Sequence, residues 1–342
     1  MNSFDKIPEV TKQIRLLKET GLHSYLNRDI NIFKQKFEQL KQLLLCSANN
    51  ENFEKAFELF YYIFDAVPMM YNRLSDVPIF RAASNDLNEV FSTQSRISYN
   101  PKKENIGPGK FNVWYQSMFY GCLPYEAVNK NEYPEPRLVA ALECCKELYS
   151  NNKPLVVKDI TIGRWELKES INAINLAFDN VHLSKNPELK RTNDQFLNHI
   201  LEAYSPEAGQ LIKEIYKYFS SLCRTGSDEK TYYILTALFA SLQNYYETNK
   251  GLKIDALISS SAASEGHGLN IVIIPDAVER CLWLKAVMMD RYFSVAPEFT
   301  TYSCYPITEV IFNHFKATNF NFTFKKYIPL ANRFLEKLSK KN

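Results

Sequence analysis

The hydrophobic period of the chain changes near residue 67, and that switch constrains the fold more than any single motif. Ahead of it, Ile32, Phe33, Phe37, Leu40, Leu43 and Leu44 recur at three- and four-residue steps. Phe53, Phe57, Phe60, Tyr61 and Phe64 repeat the pattern after a polar break at 47–52. Stripes of that period each bury one face of a helix. Between Pro68 and Gly121, by contrast, Pro, Gly and Asn punctuate short apolar runs such as 77–82 and 114–120, which read as strands and loops. Residues 136–149 read as a helix and 155–162 as a strand. Ser205 is placed to cap a helix that carries Pro206 in its first turn and fades before Gly226. Another helix is expected from Ser227 or Asp228 to Lys250, stopped by Gly251. Residues 254–258 and 269–274 read as strands around a polar loop. The tail alternates at 300–305 and 320–324 and then turns helical from about Pro329. The expected class is α+β: a core of short strands with surrounding helices and an N-terminal helical extension over 1–67.

Composition excludes several functions. The 342 residues are 46% hydrophobic and 14% aromatic, which is ample for a core and rules out disorder along the whole chain. A net charge of +3 lacks the basic excess of a nucleic-acid binder. The one compact basic run, Lys337, Lys340 and Lys341, reads as a solvated helix end. Seven scattered cysteines show no zinc-ligand spacing, so no metal is expected, and the pattern suits reduced thiols in the cytoplasm. The opening residues have no signal-peptide core, and the charge-free stretch 231–246 is too short and polar to span a bilayer. A cytoplasmic protein with no membrane contact is the expectation.

The common catalytic signatures are absent: there is no GxxxxGK[ST], GxGxxG, GxSxG or HExxH. The five histidines stand far apart. Four pieces in order carry the signal instead. They are Pro78-Ile-Phe-Arg81-Ala; Gly109-Lys-Phe-Asn112 with Met118-Phe-Tyr120-Gly; Arg137-Leu-Val-Ala-Ala-Leu-Glu143; and Asp255-Ala-Leu-Ile-Ser-Ser-Ser261 with Gly266-His-Gly-Leu-Asn270. This order resembles the RES family, named for its Arg, Glu and Ser, which includes toxins of bacterial toxin–antitoxin pairs. The resemblance spans about residues 74–280 and takes in Thr161-Ile-Gly-Arg-Trp-Glu. Two positions depart from the family pattern. Lys110 stands where an Arg is usual, and Ser259 and Ser260 replace Tyr-Pro ahead of Ser261, so any of the three serines can be the family's.

The resemblance implies an ADP-ribosyltransferase-like core over 68–285, with strands and a helix of 286–342 packed on it, that binds NAD and cleaves its nicotinamide–ribose bond. Such cleavage builds positive charge on the ribose, which a carboxylate stabilises. Glu143 is the candidate, with Glu126 and Glu132 as competitors from a Pro/Asn-rich stretch; the Ala-Ala-Leu-Glu context favours Glu143. Arg81 and Lys110 are expected at the phosphates. Tyr120 is expected to stack on a flat ring, Ser261 to position the nicotinamide end, and Asn112 to brace its loop. The function implied is an NAD glycohydrolase or phosphorylase acting as a toxin or abortive-defence effector. Protein ADP-ribosylation through the same site, or an inactive NAD-binding module, are the alternatives. An antitoxin or regulatory partner and self-association are both open.

Overall fold

The computed structural model describes residues 29–86, 89–124, 135–149, 155–225, 228–264, 268–295, 303–313 and 318–325. Two amphipathic helices open it, α1 (Ile30–Leu43) and α2 (Asn50–Ala66). Asn49 caps α2 by accepting from the Asn52 N–H at 2.8 Å, as an Asn before a helix should. Strands β1 (Tyr71–Leu74), β2 (Ile79–Ser84) and β3 (Phe119–Leu123) follow, then helix α3 (Pro136–Cys144) and strands β4 (Leu155–Leu167) and β5 (Ile171–Asn175). Four helices come next: α4 (Asn180–Lys185), α5 (Pro187–Leu201), α6 (Pro206–Thr225) and α7 (Glu229–Lys250). The chain returns through β6 (Ala256–Ser260), β7 (Leu269–Ile273), α8 (Pro275–Cys281), β8 (Leu282–Val295), β9 (Ser303–Pro306) and β10 (Ile311–Phe312).

The strands form one mixed sheet in the order β1-β5-β6-β7-β3-β2-β4-β8-β10, with β9 alongside β8. Among the described strands, only β5 and β6 run parallel. A parallel pair needs a long crossover, and α4–α7 supply it. Alternation divides the sheet faces. On β6, Leu257 joins one apolar cluster while Ala256 and Ile258 join another; on β7, Val272 opposes Ile271 and Ile273 in the same way. The first cluster holds α1, α2, α6 and α7, with Phe60 and Phe219 5.5 Å apart at its centre. The opposite face carries Leu183, Leu189 and the buried side of α8. A third cluster sits under α3, against Ala82, Cys122 and Ile162.

The expected helix limits hold at α6 and α7. Ser205 Oγ accepts from the Ala208 N–H at 3.3 Å with Pro206 opening the helix. Asp228 caps α7, and Gly251 closes it at φ 60°, the left-handed conformation that glycine adopts without strain. Four features differ from expectation. The strand expected within 114–120 begins only at Phe119, because Tyr115 turns the chain at φ 64°. Strand β4 extends to Leu167 because β8 pairs with it along its whole length. The division at residue 285/286 falls inside β8, whose pairing with β4 is continuous across it. Strand β5 and helices α4 and α5 lie where no element was anticipated. The expected helix from Pro329 lies outside the described residues. Among the described residues no helix is long and apolar enough to cross a membrane, and the seven cysteines are free thiols.

Candidate functional site

Four register partners run across the middle of the sheet: Phe80 on β2, Cys122 on β3, Asn270 on β7 and Ser259 on β6. Directly opposed residues share a face, so this row forms one floor, and α3 lies over part of it. The helix buries Val139, Ala140, Ala141 and Leu142, mostly small side chains that allow close approach. Gly268 just before β7 completes the fit, since a Cβ there would stand 2.5 Å from Val139 Cγ1.

The last turn of α3 carries Glu143 over the row. Its Oε1 accepts from Ser261 Oγ at 2.5 Å, from Asn270 Nδ2 at 2.7 Å and from the Ala263 N–H at 3.3 Å. Every donor to Glu143 among the described residues reaches that one oxygen. Ser261 is fully buried and is itself held: its N–H donates to Gly268 O at 2.7 Å and its Oγ accepts from the Ser264 N–H at 3.2 Å. The three serines thereby separate. Ser259 faces Asn270 in the ladder, Ser260 Oγ hydrogen-bonds Asp179 Oδ2, and Ser261 alone binds Glu143.

Arg81 enters from the other side, where β2 and β3 share only the Phe80–Cys122 pair. Its NH1 donates to Tyr120 O at 2.6 Å, and the guanidinium lies 5.1 Å from the centre of the Phe119 ring. Its Nε is buried without a hydrogen-bond partner among the described residues. Burial pushes its pKa down to about 10, which still leaves it charged at neutral pH. Gly121 makes room here, because a Cβ would stand 2.6 Å from Ile79 Cγ2 and 3.0 Å from Phe119 Cε1.

Tyr120 and Asn112 form a brace. The Tyr120 hydroxyl donates to Asn112 Oδ1 at 2.8 Å and accepts from the Phe111 N–H at 3.1 Å. Asn112 Nδ2 donates to Gly107 O at 2.9 Å and Val113 O at 3.1 Å, pinning the loop that precedes β3. Burial raises the Tyr120 pKa, keeping its hydroxyl protonated as a donor.

These groups surround a cavity of about 280 Å³ lined by Arg81, Tyr120, Cys122, Glu143, Cys144 and Asn270 with the backbone between them. Arg81, Tyr120 and Glu143 thus line it, while Ser261 and Asn112 stand behind, bonded to lining residues. Lys110 is not in the lining and makes no hydrogen bond or ion pair among the described residues. It lies by the end of α6, where its charge opposes the burial that pushes the Cys223 thiol up to about 12. Glu126 and Glu132 lie outside the described residues. Asn270 and Cys122 were not expected in the site. The Gly-Leu-Asn run already signalled Asn270; Cys122 carries no sequence signal, because an apolar strand with one cysteine reads as core.

The cavity pairs a fixed carboxylate with a half-buried cation across a floor of strands. That arrangement suits a ligand carrying phosphate at one end and developing positive charge at the other. No cluster of three or more His, Cys, Asp or Glu able to hold a metal occurs among the described residues. A scan against family models and a search of curated proteins each returned no match.

Proposed function

We propose that this chain is an NAD-consuming enzyme of the RES type, with an ADP-ribosyltransferase-like core, that breaks the nicotinamide–ribose bond and passes the ADP-ribose to water or phosphate. The observation that carries this reading is Glu143, which lines a cavity that Arg81 also lines: three donors hold Oε1, and among the described residues none reaches Oε2. The ribose is neutral in bound NAD and becomes cationic as nicotinamide departs. A carboxylate oxygen held against it therefore favours the transition state over the ground state. Nicotinamide leaves with the bonding electron pair, and water or phosphate supplies the new bond to the ribose C1. Arg81, with an unpartnered Nε, answers a phosphate charge present in both states. The cavity is near the lower end of ligand-pocket sizes, about 300 Å³, and accommodates the reacting end of the dinucleotide rather than the whole. In a cell, unchecked consumption of NAD makes such an enzyme a toxin or defence effector, held in check by a partner.

The test is NAD loss and nicotinamide release by the purified chain. Turnover by the native chain, cut about 10²-fold or more in Glu143→Gln, supports the reading. A native chain that leaves NAD intact, or a Glu143→Gln variant as active as the native one, overturns it. Product analysis then separates free ADP-ribose or its phosphate from labelled protein.

A further inference from the structure

The cavity contains a thiol for which the reaction just described has no task. Cys122 is 2% exposed and lies directly opposite Asn270 in the β3–β7 ladder. Its Sγ stands 3.3 Å from Asn270 Oδ1, while Asn270 Nδ2 stands 2.7 Å from Glu143 Oε1. An amide has one accepting and one donating end, and the two neighbours demand opposite ends. A thiol that points its proton at the amide claims the carbonyl oxygen, and the NH2 group is left for the carboxylate. Burial first, and then the nearby charge of Glu143, raises the pKa of Cys122, so the proton stays on sulfur.

We infer that Cys122 is a positioning residue: its S–H fixes the orientation of the Asn270 amide, which with Ser261 holds Glu143 at the cavity edge. Three hydrogen bonds link Cys122 to Asn270, Asn270 to Glu143 and Ser261 to Glu143. With the thiol gone, Asn270 keeps one anchor instead of two and samples the flipped orientation, which sets its oxygen against the carboxylate. A strand cysteine kept only to fill space would show none of this dependence, since alanine and serine would then differ merely by volume and polarity.

The inference rests on the reading of Glu143 as the catalytic carboxylate, and two measurements keep the two claims apart. In steady-state kinetics with NAD, Cys122→Ala should lower kcat roughly three- to tenfold, the worth of one modest hydrogen bond, with KM nearly unchanged. Cys122→Ser, which restores a donor at the same place, should recover most of that loss. A Cys46→Ala control, at an exposed cysteine just past α1, should match the native chain. The second measurement is independent of turnover. The side-chain NH2 protons of Asn270, followed by NMR, should show one proton shifted downfield by the Glu143 carboxylate. That signature should broaden or move in Cys122→Ala and return in Cys122→Ser. An Asn270 signature identical in all three chains overturns the positioning role even if Glu143→Gln is dead, and so does a Cys122→Ala variant with native kcat. If the native chain leaves NAD untouched, the catalytic reading fails, and the NMR series alone decides whether Cys122 orients Asn270.

Discussion

The helical cluster and the α3 cavity lie against the same face of the sheet and use it in opposite ways. In the cluster, the hydroxyls that face the turn before β1 come already matched, although the Tyr218 hydroxyl is buried without a partner among the described residues. Tyr216 donates to Pro68 O at 2.7 Å and accepts from the Met70 N–H at 2.9 Å, Tyr246 accepts from the Met69 N–H at 3.1 Å, and Tyr204 donates to Ala66 O at 3.0 Å. Those bonds stitch the turn between α2 and β1 onto α6, α7 and the residues just ahead of α6, while Phe60, Phe64 and Phe219 interlock beneath them. In the cavity, Arg81 Nε has no partner among the described residues and Glu143 offers an oxygen that no described donor reaches. Matched polar groups around large aromatics give stability, whereas unmatched charges in a small cavity cost stability and are kept where a ligand completes them.

That contrast can be broken most severely from the cluster side. A chain beginning at Pro68 loses α1 and α2, uncovers the apolar faces of α6 and α7, and should aggregate instead of showing a cooperative melt. A soluble, fully active product would make the first 67 residues an accessory. Within the full chain, Phe219→Ala removes a fully buried ring and should cost about 3–5 kcal/mol by denaturant unfolding. NAD turnover below the unfolding midpoint should be little altered.

The cavity should behave in the reverse sense. Glu143→Gln keeps the shape of the side chain and should leave the melting temperature within about 2 °C of native, since it disturbs one partly exposed group. Its turnover should nonetheless fall about 10²-fold or more. A large drop in melting temperature would mean that Glu143 belongs with the matched groups.

Gly121→Ala probes the cavity from the opposite face of the sheet, where Ile79 and Phe119 pack. Its Cβ would press Ile79 and Phe119 at 2.6 Å and 3.0 Å, so about 1–3 kcal/mol of stability should be lost, and Arg81 should shift with β3. The expected kinetic sign is a raised KM for NAD accompanying the lower midpoint. The smallest effect belongs to Lys110. Outside the cavity lining, it should act on phosphate through solvent, so Lys110→Ala should raise KM a few-fold with stability unchanged, and Lys110→Arg should restore it. An unchanged KM in the Ala variant places Lys110 outside the substrate path altogether.

Local signals that a few residues carry by themselves were legible in the sequence. The periodic Phe and Leu positions of α1 and α2, the Ser205–Pro206 start of α6 and the Gly251 stop of α7 depend on backbone chemistry within one or two turns, and they appear where expected. So did much of the candidate site. Arg81, Tyr120 and Glu143 line one cavity, and Ser261 and Asn112 bond to lining residues, although 62 positions separate Arg81 from Glu143 and 118 separate Glu143 from Ser261. The ordered motif links those residues; periodicity has no means to do so.

Only tertiary structure decided the rest. Strand β5 looks unremarkable alone and exists because β1 and β6 pair with its two edges. Strand β8 runs through an expected domain boundary because β4 offers it a partner along the full length. The choice among Ser259, Ser260 and Ser261 turns on which face each side chain takes at the end of β6, and the pleat sends Ser260 to Asp179 and Ser261 to Glu143. The roles of Asn270 and Cys122 turn on the β3–β7 register, in which a slip of one residue would move both away from Glu143. Register is a property of paired strands distant in sequence, set by burial on both faces at once, and no window along the chain contains it.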